Sequence, residues 1–221
     1  MNTLPESRLR NMDARRRRIQ EAACALLSAG GMEGLTLRGV AEQAGVTVPT
    51  IYNLIGGKDA VVKDLLTVAL AEQEAAVAAL PPQRGLALAE AAAICSADLY
   101  LGCPARFTAV FRALQDVQGR PDDTVLGPLF TRAGEVYCRA VRQAQEDGDL
   151  HGRLLPVPLG HNILHAQLEA FRVWAVGALD ARVTRARVFY SLYVSLMADA
   201  TKQGRRVLLD KLRLAEGVLD T

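Results

Sequence analysis

The chain has 221 residues, half of them apolar, 23% charged and only 5% aromatic. That length supports a sizeable core without disulfide staples, and that apolar fraction excludes a disordered chain. The net charge of +2 is unevenly spread: residues 1–65 hold nine Lys and Arg against seven Asp and Glu, whereas residues 66–221 hold seventeen of each.

Residues 1–20 carry six Arg and two acids, running into Arg15-Arg16-Arg17-Arg18. A flexible basic arm, residues 1–13, is therefore expected ahead of the fold, with the arginine cluster suited to DNA phosphates or the minor groove. The solvated start of a first helix explains the same cluster. No uninterrupted apolar run reaches the roughly eighteen residues of a membrane helix, and no signal-peptide core follows the arginines, so a cytoplasmic chain is expected. Cys24, Cys95, Cys103 and Cys138 form no C-x-x-C pair and lie in helical contexts, which points to buried reduced thiols.

Ile19, Ala22, Ala23, Leu26 and Leu27 fall on one helical face, giving a first helix over about 14–29 that Gly30-Gly31 ends. Thr36 stands where an N-cap belongs, Gly45 closes a short second helix, Thr47 caps a third, and Pro49 sits in its first turn. Lys58 opens a long helix stopped by Pro81-Pro82. Further helices are predicted near 86–102, 104–117, 124–147, 157–178 and 182–203, separated by Gly102-Cys103-Pro104, Gly119-Arg120-Pro121, Gly148-Asp149 and Pro156-Val157-Pro158. No segment alternates with period two, so the fold class is all-α.

Ala41, Gly45 and Ile51 have a helix-turn-helix spacing. Two helices crossing at a tight turn need a small residue at the contact, a glycine free to adopt positive φ, and a branched apolar residue that locks the second helix. Thr47, Val48, Pro49, Thr50 and Asn53 then point outward, short groups suited to base edges and thymine methyls. A plain helical hairpin has the same spacing.

The wider string is more specific. Arg18-Ile19-Gln20-Glu21-Ala22-Ala23, Gly31 through Ala41, Gly45 through Tyr52, and Gly57-Lys58-Asp59 together resemble the TetR family of transcriptional regulators over about residues 14–65. The resemblance implies a DNA-binding domain at 14–57 and a ligand-binding and dimerisation domain at 58–221. It implies phosphate contacts from Thr36, Tyr52 and Lys58, a guanine contact from Arg38, and a recognition helix opening at Thr47-Val48-Pro49-Thr50. The chain departs from the family's Tyr-x-His-Phe string, reading Tyr52-Asn53-Leu54-Ile55, so one phosphate contact is missing. Asn53 and the arm, with Arg15, Arg16 and Arg17, are expected to compensate.

Beyond residue 65 the resemblance implies a ligand cavity and a homodimer built from two long helices. The apolar pattern supports the dimer independently: Leu164, Leu168 and Phe171 on one helix, and Tyr190, Val194 and Met197 on the next, give each helix more than one apolar side. Tyr100, Phe107, Phe111, Leu114, Tyr137 and Trp174 are the bulky cavity candidates, and the scarcity of charge around them suggests an apolar effector. Ordinary core packing accounts for them equally. His161, His165 and Glu169 repeat every four residues, a spacing that suits a divalent metal or a polar stripe in a dimer face. No metal or cofactor is assigned.

The function read from these features is a ligand-responsive, DNA-binding repressor acting as a homodimer on a palindromic operator. A constitutive DNA binder is one alternative. An enzyme using the helical cavity is the other, but G-x-S-x-G, G-x-G-x-x-G and Walker strings are all missing.

Overall fold

Residues 6–29 contain neither glycine nor proline, and in a computed structural model, which describes residues 6–117 and 127–220, they are helical throughout. The first helix, α1 (Glu6–Gly34), thus starts eight residues before the expected 14 and absorbs most of the expected flexible arm; residues 1–5 lie outside the described residues. It breaks at Gly30 and Gly31, where Gly31 has φ +59°, a conformation that costs glycine little. The short helices α2 (Leu37–Ala44) and α3 (Val48–Leu54) follow, then α4 (Lys58–Ala78), α5 (Gly85–Gly102), α6 (Pro104–Val117), α7 (Gly127–Glu146), α8 (Pro156–Ala175), α9 (Ala181–Met197) and α10 (Lys202–Leu219). No strand occurs among the described residues, and the predicted Gly119-Arg120-Pro121 break lies outside them.

The helix expected over 182–203 is two helices. Ala198 through Thr201 leave the helical path because Asp199, buried, accepts hydrogen bonds from the backbone N–H groups of Gly152 (2.9 Å) and Arg153 (3.1 Å). Leu150 and Ala200 form an isolated bridge, and the Thr201 hydroxyl caps α10 at Gly204 N. A tertiary contact, not a local breaker, makes this stop.

The chain divides into two compact units, one drawn from Met1–Ala69 and Ala105–Asp123, the other from Leu70–Pro104 and Thr124–Thr221. A boundary at 57/58 is not where the packing divides. The first half of α4 contributes Val61, Val62 and Leu65 to the core of the helix-turn-helix, and α6 contributes Ala109, Val110 and Ala113. That core continues through Ile19, Leu27, Leu35, Val40 and Ile51, all fully buried.

In the second unit α7 packs on α5 and α8, and α9 on α8 and α10. The α7–α8 crossing is close: a Cβ added to Gly160 would stand 2.6 Å from Cys138 N and 2.8 Å from its Cα. Helix α5 is long enough to span a membrane and has mean hydropathy 1.3, but half of it is buried inside this unit, with Leu88, Ala92, Cys95 and Ala97 among the covered residues. It is a core helix.

Candidate functional site

Helix α2 begins where the Thr36 side chain accepts the Gly39 N–H at 3.1 Å. It ends in a Schellman motif: Gly45, at φ +61°, donates its N–H to Glu42 O (3.3 Å), while Val46 N–H reaches Ala41 O (3.0 Å). The turn delivers Thr47 as N-cap of α3, its hydroxyl accepting Thr50 N–H at 3.3 Å and lying 2.8 Å from the Thr50 hydroxyl. Ile51 is fully buried beneath Ala41 and Ala44, which turns the opposite side of α3 to solvent. Thr47, Pro49, Asn53 and Tyr52 (57% exposed) are open, and Val48 and Thr50 are half-exposed. All six residues expected on the recognition helix therefore share one accessible element.

Leu54 and Ile55, which replace the family's histidine and phenylalanine, are half-buried and pack against the apolar core. The departure thus adds hydrophobic anchoring to the end of α3.

The cations divide by role. Arg15 and Arg17 are exposed on α1. Arg16 forms an ion pair with Asp64 of α4, whose side chain is only 4% exposed. The Arg16 Nε lies 3.0 Å from one carboxylate oxygen, and Gln20 Nε2 donates to the other at 2.7 Å. Arg16 is therefore a clasp between α1 and α4, with about half of its side chain still exposed. The hydrogen bond to Asp64 raises its pKa above the usual guanidinium value, against the effect of burial. Arg18, the last of the cluster, has its Nη1 3.6 Å from where a Cβ of Gly45 would be, beside the helix-turn-helix bend. Arg38 is exposed and paired with Glu42 one turn later, at 3.1 Å. Lys58, at the start of α4, donates its ammonium to Met32 O, so in the free protein the expected phosphate clamp holds the end of α1.

The six cavity candidates do not form one set. Phe107, Phe111 and Leu114 are buried in the N-terminal unit; Tyr137 and Trp174 are buried and Tyr100 half-buried in the C-terminal unit, where Tyr100 meets Phe171 edge-on at 5.0 Å. A cavity of about 480 Å³ in the C-terminal unit is lined by other residues, among them Leu70, Gln73, Val77, Leu88, Ala91 and Val136. An ion pair between Arg132 and Glu74 joins two further lining residues. Gln73 also donates to the Ser96 hydroxyl at 2.7 Å, and the Tyr137 hydroxyl donates to Gln167 Oε1 at 2.6 Å. Burial pushes the Tyr137 and Tyr100 phenols well above their ordinary pKa, so both stay neutral. This polar group was not foreseen, because its members come from four different helices.

Of the residues expected at a dimer face, Leu164 and Phe171 are buried within the protomer and cannot meet a partner, since α8 turns that side to its own core. Leu168, Tyr190 and Met197 are half-exposed and Val194 is 43% exposed. The three residues at metal-like spacing turn to different neighbours. His161 lies against Gly134, His165 against the Phe130 ring (6.0 Å between centroids), and Glu169 pairs with Arg172, which lowers its pKa. All four cysteines are free thiols, but Cys103 is exposed at the end of α5 rather than buried.

Residues 19–65 match the model of bacterial regulatory proteins of the tetR family. Among solved structures, the chain is similar to a protein of Syntrophomonas wolfei str. Goettingen assigned to that family (17% identity, TM-score 0.67, covering 84% of this chain and 95% of that one). It is similar also to tylp, a tetR regulator from Streptomyces fradiae (20% identity, TM-score 0.63, 93% and 96%). A third is SmeT, the repressor of a multidrug efflux pump of Stenotrophomonas maltophilia (17% identity, TM-score 0.60, 85% and 91%). No curated protein matches the chain. The helix-turn-helix thus matches the tetR family model from residue 19 to residue 65, and the fold along the rest is shared with solved structures of TetR-family regulators.

Proposed function

We propose that the chain is a ligand-responsive repressor that binds a palindromic operator as a homodimer and is released by a mostly apolar small molecule. The observation that carries this reading is α3 itself. A fully buried Ile51 locks the helix to the domain while Thr47, Pro49, Tyr52 and Asn53 stay open to solvent on it. Small polar and methyl-bearing groups on an exposed second helix fit base edges, and exposed Arg15, Arg17 and Arg18 beside them fit phosphates. The accessible apolar residues Leu168, Tyr190, Val194 and Met197 supply a surface for a second copy. A two-fold dimer then matches two half-sites about one DNA turn apart. Repression is the mode of SmeT, and release needs only an effector that prefers the non-binding state of the dimer.

The test is selection of bound sequences from random duplex DNA by the purified protein, followed by affinity against salt on the selected site. The expected result is a palindromic consensus bound at least a thousandfold, on the order of 4 kcal/mol, more tightly than random duplex, with affinity falling steeply as salt rises. Binding without enrichment overturns the operator reading.

A further inference from the structure

The inward side of α8 carries Ile163, Gln167, Ala170, Phe171 and Trp174, all buried. Four are apolar and one is a carboxamide, 2% exposed. Its oxygen accepts the Tyr137 hydroxyl, but its nitrogen has no hydrogen-bond partner, the one buried side-chain polar atom among the described residues in that state. A buried amide left unpaired is destabilising, and native cores rarely keep one.

The surroundings of that amide define the occupant. Gln73 from α4, Ser96 from α5 and Tyr137 from α7 form an uncharged polar layer with it: Gln73 donates to Ser96, Ser96 donates to Ala92 O at 2.9 Å, and Tyr137 donates to Gln167 itself. These groups are satisfied by one another, so the unfilled position belongs to Gln167 Nε2, a donor. Among the described residues no Lys or Arg of this unit is buried, and the cations of the cavity wall, Arg132 paired with Glu74 and Arg139, are exposed, so the layer itself offers no counter-ion to an anionic ligand. Tyr100, Phe171 and Trp174 add aromatic surface on the same side of α8. Gln73 belongs at once to the layer and to the wall of the 480 Å³ cavity, which brings the two together.

We infer that the Gln167 amide is the hydrogen-bond donor that recognises the effector, and that the effector is an uncharged, mostly apolar molecule presenting a carbonyl oxygen, such as a ketone or an ester. The inference rests on the regulator reading for the word effector alone, since the binding chemistry is measurable without DNA.

Full-length protein is melted with methyl nonyl ketone and, separately, with undecanoate, which has the same chain length and a charged head. Wild type and Gln167→Met are compared; the methionine keeps the volume and removes the acceptor of the Tyr137 hydroxyl together with the unpaired amide, two changes of opposite sign in stability. The ketone is expected to raise the wild-type Tm by several degrees and undecanoate to leave it unchanged. Gln167→Met should melt within about 2 °C of wild type when free and show no shift with the ketone. A proton–nitrogen NMR spectrum adds a readout that a merely structural glutamine would not move: the side-chain amide pair missing from Gln167→Met shifts downfield when wild type binds the ketone. A ketone shift that survives in Gln167→Met, an equal shift with undecanoate, or no shift with the ketone overturns the assignment and leaves operator binding intact. Failure of the duplex selection overturns the regulator reading and leaves the melting result standing.

Discussion

The two units handle polar groups in opposite ways. The N-terminal unit buries an almost wholly apolar core, Ile19 through Val62, and the charged group it takes inside, Asp64, is clasped by Arg16 and Gln20. The groups proposed to read DNA, Thr47, Pro49, Tyr52 and Asn53, stand outside, where water satisfies them. The C-terminal unit holds its buried carboxylate, Asp199, on backbone N–H groups, buries Gln73, Ser96, Tyr137 and Gln167 besides, and leaves ion pairs such as Arg132 with Glu74 at the surface. A module that reads a polyanion can carry its chemistry on the exterior of a tight core. On the proposed function, a module that reads a small apolar molecule holds polar groups inside, at a cost in stability that an occupant can relieve.

The sharpest way to break the contrast is to disturb the packing that lets the polar layer form. At Gly160 a methyl group would meet the Cys138 backbone at 2.6 Å, a contact no side-chain rotation relieves. Gly160→Ala should cost about 3 kcal/mol or more, toward the upper end for overpacked cores. Thermal melting checks this, with Gly217→Ala, whose added carbon meets nothing within 4 Å, melting near wild type.

The next largest effect is expected at the clasp. Arg16→Ala strands the Asp64 carboxylate with Gln20 alone. Removing one partner of a fully buried pair costs about 3–5 kcal/mol, and because Arg16 is about half exposed a value near 2 kcal/mol is expected. The loss should appear in denaturant midpoints without DNA present. Arg17→Ala should leave the midpoint alone and instead lower the slope of log affinity against log salt by about one. A midpoint drop in Arg17→Ala equal to that of Arg16→Ala would erase the distinction between clasp and phosphate contact.

What the sequence discloses follows the same division. Thr36, Gly45, Thr47 and Pro49 act through their own backbone neighbours, so the caps and turn of the helix-turn-helix are readable from spacing, and the structure places them as expected. Gly30-Gly31, Pro81-Pro82 and Gly148 end helices for the same local reason. The break between α9 and α10 has no glycine or proline; it exists because Asp199 bonds backbone 46 and 47 residues away. Arg16 looks like one arginine among four until folding brings Asp64 to it, and Lys58 is diverted to Met32 O by the same kind of distant pairing. The polar layer is the extreme case, since its bonds join residues 23 and 30 positions apart on separate helices.

On the exposed side the effects are smaller and concern binding. Tyr52→Phe removes only a hydroxyl from a side chain that is 57% exposed, so melting should not change. If that hydroxyl donates to a phosphate, operator affinity falls by roughly tenfold, about 1.5 kcal/mol, the low end for a hydrogen bond to a charged group. An unchanged affinity would remove Tyr52 from the interface.

The smallest effect separates holding α3 from reading DNA with it. The Thr47 hydroxyl both caps α3 at Thr50 N and meets the Thr50 hydroxyl at 2.8 Å. Thr47→Ala should therefore cost about 1 kcal/mol of stability, whereas Thr47→Ser keeps the capping oxygen and should cost only a few tenths. Thr50→Ala leaves the cap in place, because the bond to Thr47 that matters for the helix comes from the Thr50 backbone, so its stability should match wild type while operator affinity falls. If Thr50→Ala destabilised the protein as much as Thr47→Ala, the paired hydroxyls would belong to the fold of the N-terminal unit, and the reading surface of α3 would begin at Tyr52.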